Sequence, residues 1–217
     1  MFKKYFMLKC SALLLLLAIS FAGFSQYTGY KPVSDIDHFK KHFTVEAGKI
    51  QTIKSNFVQE KTLAMLSEKM NSEGKFYFKR SNNVRIEYEK PIQYLLVMNS
   101  EKIFMKDGEN QSTVNVKSSR LFQQVNRIMI DCVQGSILTS KDFTVRVFEN
   151  EKSWLMEMTP VAQDLKGFFS DIVIFVDRKD YSVSSIEMHE ASGDETKIRF
   201  TQKELNVEIA DEMFAIH

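Results

Sequence analysis

Through much of this chain apolar and polar residues alternate with a period of two, the spacing of strands that turn one face to a core. Ile53, Ser55, Phe57 and Gln59 interleave with Lys54, Asn56 and Glu60. Gly74, Phe76, Phe78 and Arg80 share one face of a second strand. Val84, Ile86 and Tyr88 share a face of a third, with Arg85, Glu87 and Glu89 opposite, and Pro91 ends it. Further strands are predicted at 93–99, 102–106 and about 111–116, with an Asp107-Gly108 turn between the last two. The pattern resumes at 142–149, 153–159, 169–177, 181–190 and 195–203. Turn residues recur at short spacing, which predicts an antiparallel meander. From Phe168 to Val176 the apolar residues are nearly continuous, so both faces of that strand must be covered.

Two stretches have a helical period instead. Ile36, Phe39 and Phe43 fall at i, i+3 and i+7, predicting an amphipathic helix from about 35 to 48, with Ser34 and Asp37 as a capping box. Between Ser119 and about Gln134, Leu121, Phe122, Val125, Ile128, Met129, Cys132 and Val133 form the stripe of a helix lying on an apolar surface, and Gly135 is its predicted C-cap.

The first 25 residues stand apart from this pattern. Lys3 and Lys4 precede an apolar run from Ala12 to Phe21 that holds five consecutive leucines, and the small residues Ala22, Gly23 and Ser25 follow. This is the pattern of a cleaved secretory signal peptide, with the cut expected after Ser25 and a second candidate after Ala22. The run is short for a membrane span, and Cys10 lies upstream of the leucines, where a lipid-modified cysteine does not belong. A single domain is expected over 26–217, with no internal repeat or linker.

Composition narrows the function classes. The 217 residues carry 29 Lys+Arg and 28 Asp+Glu. Without Lys3, Lys4 and Lys9 of the leader, 26 basic residues face 28 acidic ones, a formal net charge of −2, against the basic excess of a nucleic-acid binder. Cys132 is then the one cysteine left and reads as a small buried hydrophobe. His38 and His42 lie at i, i+4 without a third ligand and read as helix-surface residues. No glycine-rich phosphate loop, HExxH or GxSxG occurs, so no catalytic residue is nominated, and neither a cofactor nor a metal is expected. Asn110-Gln111-Ser112 matches a glycosylation sequon, a pattern too frequent to carry weight. What remains is apolar bulk: 14 Phe and 9 Met after the leader, a mixture that suits a core or an adaptable cavity for acyl chains.

Four runs carry a family resemblance. Phe57-Val58-Gln59-Glu60-Lys61 is followed by Gly74-Lys75-Phe76-Tyr77-Phe78-Lys79-Arg80 and Val84-Arg85-Ile86-Glu87-Tyr88-Glu89-Lys90-Pro91. Near the end stands Asn206-Val207-Glu208-Ile209-Ala210-Asp211-Glu212-Met213-Phe214. Their order resembles the periplasmic outer-membrane lipoprotein carriers of the LolA family. Ser81 stands where that family has Pro, Ile86 where it has Trp, and the 119–134 helix replaces its Pro-containing lid segment.

The resemblance implies an α+β fold: an open antiparallel half-barrel of about ten to eleven strands with a helical lid over its concave apolar face. It implies a non-enzymatic, monomeric periplasmic carrier. Such a carrier takes lipoprotein acyl chains from an inner-membrane ABC transporter and delivers them to an outer-membrane acceptor. Strand parity then puts Phe57, Phe76, Phe78, Val84, Ile86 and Tyr88 on the binding face, with Leu121, Phe122, Val125 and Met129 from the lid helix. The lid-holding arginine of the family maps onto Arg80, with lid-helix carbonyls or side chains as expected partners. A periplasmic lipid- or lipoprotein-sensing regulator, an outer-membrane receptor and an enzyme with a dispersed site are the other readings.

Overall fold

The structure, a computed structural model, describes residues 27–66, 68–80, 82–116, 123, 127, 128, 130–133 and 135–216. Among them one antiparallel sheet contains β1 (Lys31–Pro32), β2 (Thr52–Leu63), β3 (Glu68–Lys79), β4 (Asn83–Lys90), β5 (Tyr94–Met98), β6 (Lys102–Asp107), β7 (Asn110–Asn115), β8 (Phe143–Glu149), β9 (Ser153–Pro160), β10 (Phe169–Asp177), β11 (Val183–Glu190) and β12 (Glu195–Leu205). The spatial order is β1-β8-β9-β10-β11-β12-β2-β3-β4-β5-β6-β7. Two meanders, β2 to β7 and β8 to β12, are therefore joined where β12 pairs with β2. The order runs from β1 to β7 without returning, so the sheet is open. Twelve strands replace the ten to eleven expected, because β1 is a two-residue pairing with β8 that no alternation announces.

Helix α1 (Ile36–Gly48) forms where the i, i+3, i+7 stripe predicts it, and Phe39, Phe43 and Ala47 are its buried residues. Its N-cap is Asp35, whose side chain accepts from the His38 amide at 2.9 Å, rather than Ser34. Both residues are competent caps, and the approach of the chain selects between them. The described residues between 127 and 133 are helical, as predicted, and Gly135 follows in a left-handed conformation at φ 75. A Cβ at Gly135 would stand 3.1 Å from the Thr44 Cα and 3.2 Å from the Ala47 Cβ, so this loop packs tightly on α1. No described helix is long and apolar enough to cross a membrane. The leader at 1–25 lies outside the described residues.

The inner face of the sheet carries two packed clusters. Under α1, Phe39, Phe43 and Ala47 meet Trp154, Met156 and Met158 of β9 and Ile172, Ile174 and Val176 of β10. On the other half, Ile53 and Phe57 of β2 pack with Phe76 and Phe78 of β3, Val84 of β4, Met98 of β5 and Ile103 of β6. The outer face is covered at two places by chain ends. Tyr27 and Tyr30 pack on Phe148, Leu155, Val173 and Phe175. Val207, Ile209, Met213 and Phe214 pack on Tyr77 and Val97. The first of these explains the continuous apolar run of β10, whose Ile172 and Ile174 face inward while Val173 faces the N-terminal tyrosines.

Candidate functional site

Between the two inner clusters the packing is incomplete. Val183, Ile186 and Met188 of β11 and Ile198 and Phe200 of β12 stand mid-sheet, where side chains are ordinarily covered, yet each is only half-buried. They form the floor of a cavity of about 210 Å³. Ile53, Phe57, Phe76, Ile86 and Tyr88 close it from β2 to β4, while Phe169, Ile172 and Ile174 close it from β10. Ile128, Cys132 and Val133 cover it from the helical segment. The polar side chains in this lining are few: Ser55, Tyr88, Cys132 and Lys203.

Each of these four has its own circumstance. The Tyr88 hydroxyl donates to Gln59 Oε1 at 2.9 Å, and burial raises its pKa. Cys132 is buried and free of any disulfide, and burial pushes its thiol well above the ordinary range. It behaves as the small hydrophobe expected from its neighbours. The Lys203 ammonium donates to Ser182 Oγ and stands 3.6 Å from Asp180. Ser55 is 2% exposed, and its Oγ has no hydrogen-bond partner among the described residues.

The strand residues expected to form the binding face divide in two. Phe57, Phe76, Ile86 and Tyr88 line the cavity. Phe78 and Val84 are 0% exposed and belong to the packed cluster beside it, outside the lining. Leu121, Phe122, Val125 and Met129 lie outside the described residues. Residues of β10, β11 and β12 line the cavity without a sequence signal that marks them. Their alternation is interrupted by register shifts between Phe175 and Val176 and between Thr201 and Glu204, so simple parity does not carry across them.

Arg80 follows β3 and reaches across to the end of α1. Its Nε donates to the Ile50 carbonyl at 2.7 Å, and its Nη2 donates to the carbonyls of Gly48 at 2.7 Å and Ala47 at 3.3 Å. The Ala47 carbonyl also accepts from the Ile50 amide, while those of Gly48 and Ile50 stand at and just past the helix end, where a cation is favoured. Among the described residues the partner is thus the C-terminus of α1, whereas the family resemblance implies the 119–134 helix. Because α1 covers the inner face of β9 and β10, Arg80 ties one covering helix to the opposite half of the sheet.

Residues 48–217 match the family described as outer membrane lipoprotein carrier protein LolA. The chain belongs to that family. An outer-membrane lipoprotein carrier protein of Methylibium petroleiphilum is 24% identical over 168 residues, spanning 76% of this chain and 78% of the relative. One from Methylobacillus flagellatus is 26% identical over 164 residues, spanning 75% and 76%. Among solved structures, an uncharacterized conserved protein from Thermus thermophilus superposes with a TM-score of 0.51 at 8% identity, covering 84% of this chain and 95% of its own. That likeness concerns the fold alone. The LolA match takes in every strand from β2 to β12, the whole cavity floor and Arg80, and begins at the last residue of α1.

The polar chemistry of this LolA family member is concentrated away from the cavity. On the outer face, His189 of β11 stands between Asp171 of β10, at 2.6 Å from Nδ1, and Glu195 of β12, at 3.1 Å from Nε2. Lys197 pairs with Glu195 at 3.0 Å. Burial alone lowers the His189 pKa, but the hydrogen bonds and charges of Asp171 and Glu195 outweigh it, and the net shift is upward. Glu187, His189 and Glu195 offer ligand atoms within 4.8 Å of one another, and both imidazole nitrogens already face carboxylates. His38 and His42 lie on the exposed side of α1, with the His42 Nδ1 3.0 Å from the Tyr181 hydroxyl.

Proposed function

We propose that this chain is a periplasmic carrier of lipoproteins. Its inner face would hold their acyl chains between an inner-membrane ABC transporter that releases them and an outer-membrane acceptor that receives them. The observation that carries the reading is the cavity between the two inner clusters, nearly all apolar and roofed by helical residues. The names borne by the Methylibium and Methylobacillus relatives support it, and so does the leader expected at 1–25.

The physics of the task fits the geometry. Each methylene brought out of water is worth about 0.8 kcal/mol, so a polyacylated passenger cannot cross an aqueous space bare. Ligand pockets commonly measure roughly 300–1,000 Å³. The cavity here, about 210 Å³, is smaller and already filled in part by the side chains of its cover. A passenger with several chains must therefore displace α1 or the 127–133 segment. Passenger and cover then compete for one apolar surface, which lets the protein bind firmly and still let go.

Phe57, Phe76, Ile86 and Tyr88 are proposed to contact the chains directly, with Phe78 and Val84 supporting them from the packed cluster. Leu121, Phe122, Val125 and Met129 are proposed to belong to the displaceable cover, and Arg80 to hold α1 in place beside it. No reaction is proposed.

The test mixes the purified protein with a synthetic triacylated lipopeptide and reads native mass spectra. A one-to-one complex is expected, together with transfer of the lipopeptide to lipid vesicles. Failure to bind any acylated peptide, at concentrations where the protein stays folded, would overturn the reading.

A further inference from the structure

Two of the polar side chains that line the cavity, Ser55 and Lys203, meet where the β2–β12 ladder is irregular. Thr201 pairs with Asn56 and Glu204 pairs with Lys54, so β12 holds one residue more than β2 across this interval. Gln202 takes up the irregularity with φ 51. Before the bulge, Ile198 and Phe200 face the cavity; after it, the inward parity passes to odd positions, and Lys203 lines the cavity. Ser55 lies between Asn56 and Lys54 on β2, directly opposite the bulge. Two polar side chains from neighbouring strands therefore meet the cavity at the same level.

Ser55 is the informative one. It is 2% exposed, and among the described residues its Oγ has no partner. A buried hydroxyl without a hydrogen bond is destabilising, and an apolar residue at this position would avoid that. An ordered water needs two to four polar partners to be held; beside Ser55 the lining is Ile53, Phe57 and Phe76, and the ammonium of Lys203 is already engaged by Ser182 and Asp180. A hydrocarbon chain offers the hydroxyl nothing. An acyl group offers a carbonyl oxygen.

We propose that Ser55 donates a hydrogen bond to the carbonyl oxygen of a bound acyl group, with Lys203 beside it favouring the negative end of that group. The hollow then reads the oxygenated end of the chain as well as its length. Ester, amide and free carboxylate groups share this chemistry. The inference rests on the carrier reading above and adds to it a fixed orientation of the passenger.

The experiment follows displacement of the carbonyl-free dye N-phenylnaphthylamine by dodecane, methyl laurate and lauric acid. It compares the wild type with Ser55→Ala, Ser55→Thr and Lys203→Met. Ser55→Ala is expected to weaken methyl laurate and laurate by roughly three- to tenfold while leaving dodecane unchanged or slightly tighter. Its melting temperature is expected to equal or exceed that of the wild type, since an unpartnered group is removed. Ser55→Thr keeps the hydroxyl and is expected to keep the preference. Loss in Lys203→Met confined to laurate would support the site and mark free carboxylates as its source; tighter binding of methyl laurate than laurate by the wild type would support it with esters as the source. If Ser55→Ala affects all three ligands equally, or none, the inference falls while the carrier reading stands. If the wild type takes up none of the three, both fall.

Discussion

Arg80 shows how a single side chain can couple a sheet to a helix. Its three carbonyl acceptors come from Ala47, Gly48 and Ile50, all at or just past the end of α1. Hydrogen bonds from a charged donor contribute about 1.5–3 kcal/mol, and carbonyls left unpaired would be costly. Arg80→Leu is therefore expected to lower stability by about 2 kcal/mol, read as a reduced denaturation midpoint. Weakening the cover favours the loaded state, so loading should be intact and transfer of a lipopeptide to vesicles slower than in the wild type. Transfer at the wild-type rate would remove Arg80 from that role. That Arg80 faces inward was legible, since it shares parity with Phe76 and Phe78. Its partners were not, because backbone carbonyls leave no mark on a sequence. Ser55 was equally silent: a serine among Ile53 and Phe57 reads as a tolerated polar residue until its hydroxyl is found without a partner.

At the scale of elements, alternation was the dependable signal and irregularity the hidden one. The strands around Phe76 and Ile86 fall where the period of two places them, and the one around Val173 where a continuous apolar run does. The hairpin of β2 and β3 runs further than expected, to Leu63 and Glu68, through mostly polar residues whose alternation is lost but whose ladder pairing continues. Register shifts occur in β3–β4, β10–β11 and β12–β2, and each breaks the inference from parity to face. Gly74 sits at the first of these. A Cβ there would run into the Glu87 backbone carbonyl, which belongs to β4 and cannot move aside without breaking the ladder. Gly74→Ala is expected to cost about 3 kcal/mol, the upper end of overpacking effects. Urea unfolding checks this, and a variant within 1 kcal/mol of wild type (about the scale of an ordinary surface change) would show that β3 and β4 can separate locally.

The whole molecule wraps a hollow on one side and is strapped by its ends on the other. Tyr27 and Tyr30 at one end and Ile209 and Phe214 at the other cover outer-face apolar residues that an open sheet would leave wet. His189 ties β10, β11 and β12 together on that outer face, so its titration reports on the global fold. Its folded pKa lies above the ordinary value of 6.5. The protonated imidazole then contributes fully below about that pH, and the contribution is lost as pH rises through the higher, folded-state value. Melting temperature is expected to fall over that interval in the wild type and to fall less in His189→Gln. Identical profiles for the two would mean that Asp171 and Glu195 hold the neutral ring equally well.

The extra residue in β12 has a mechanical meaning as well. An insertion on one strand bends it and sharpens its twist, and here the bend falls at the middle of the twelve-strand order. Removing Gln202 would let Thr201, Lys203 and Glu204 meet Asn56, Ser55 and Lys54 in unbroken step, with every neighbour keeping its side. The straightened ribbon would make a shallower bowl from the same wall.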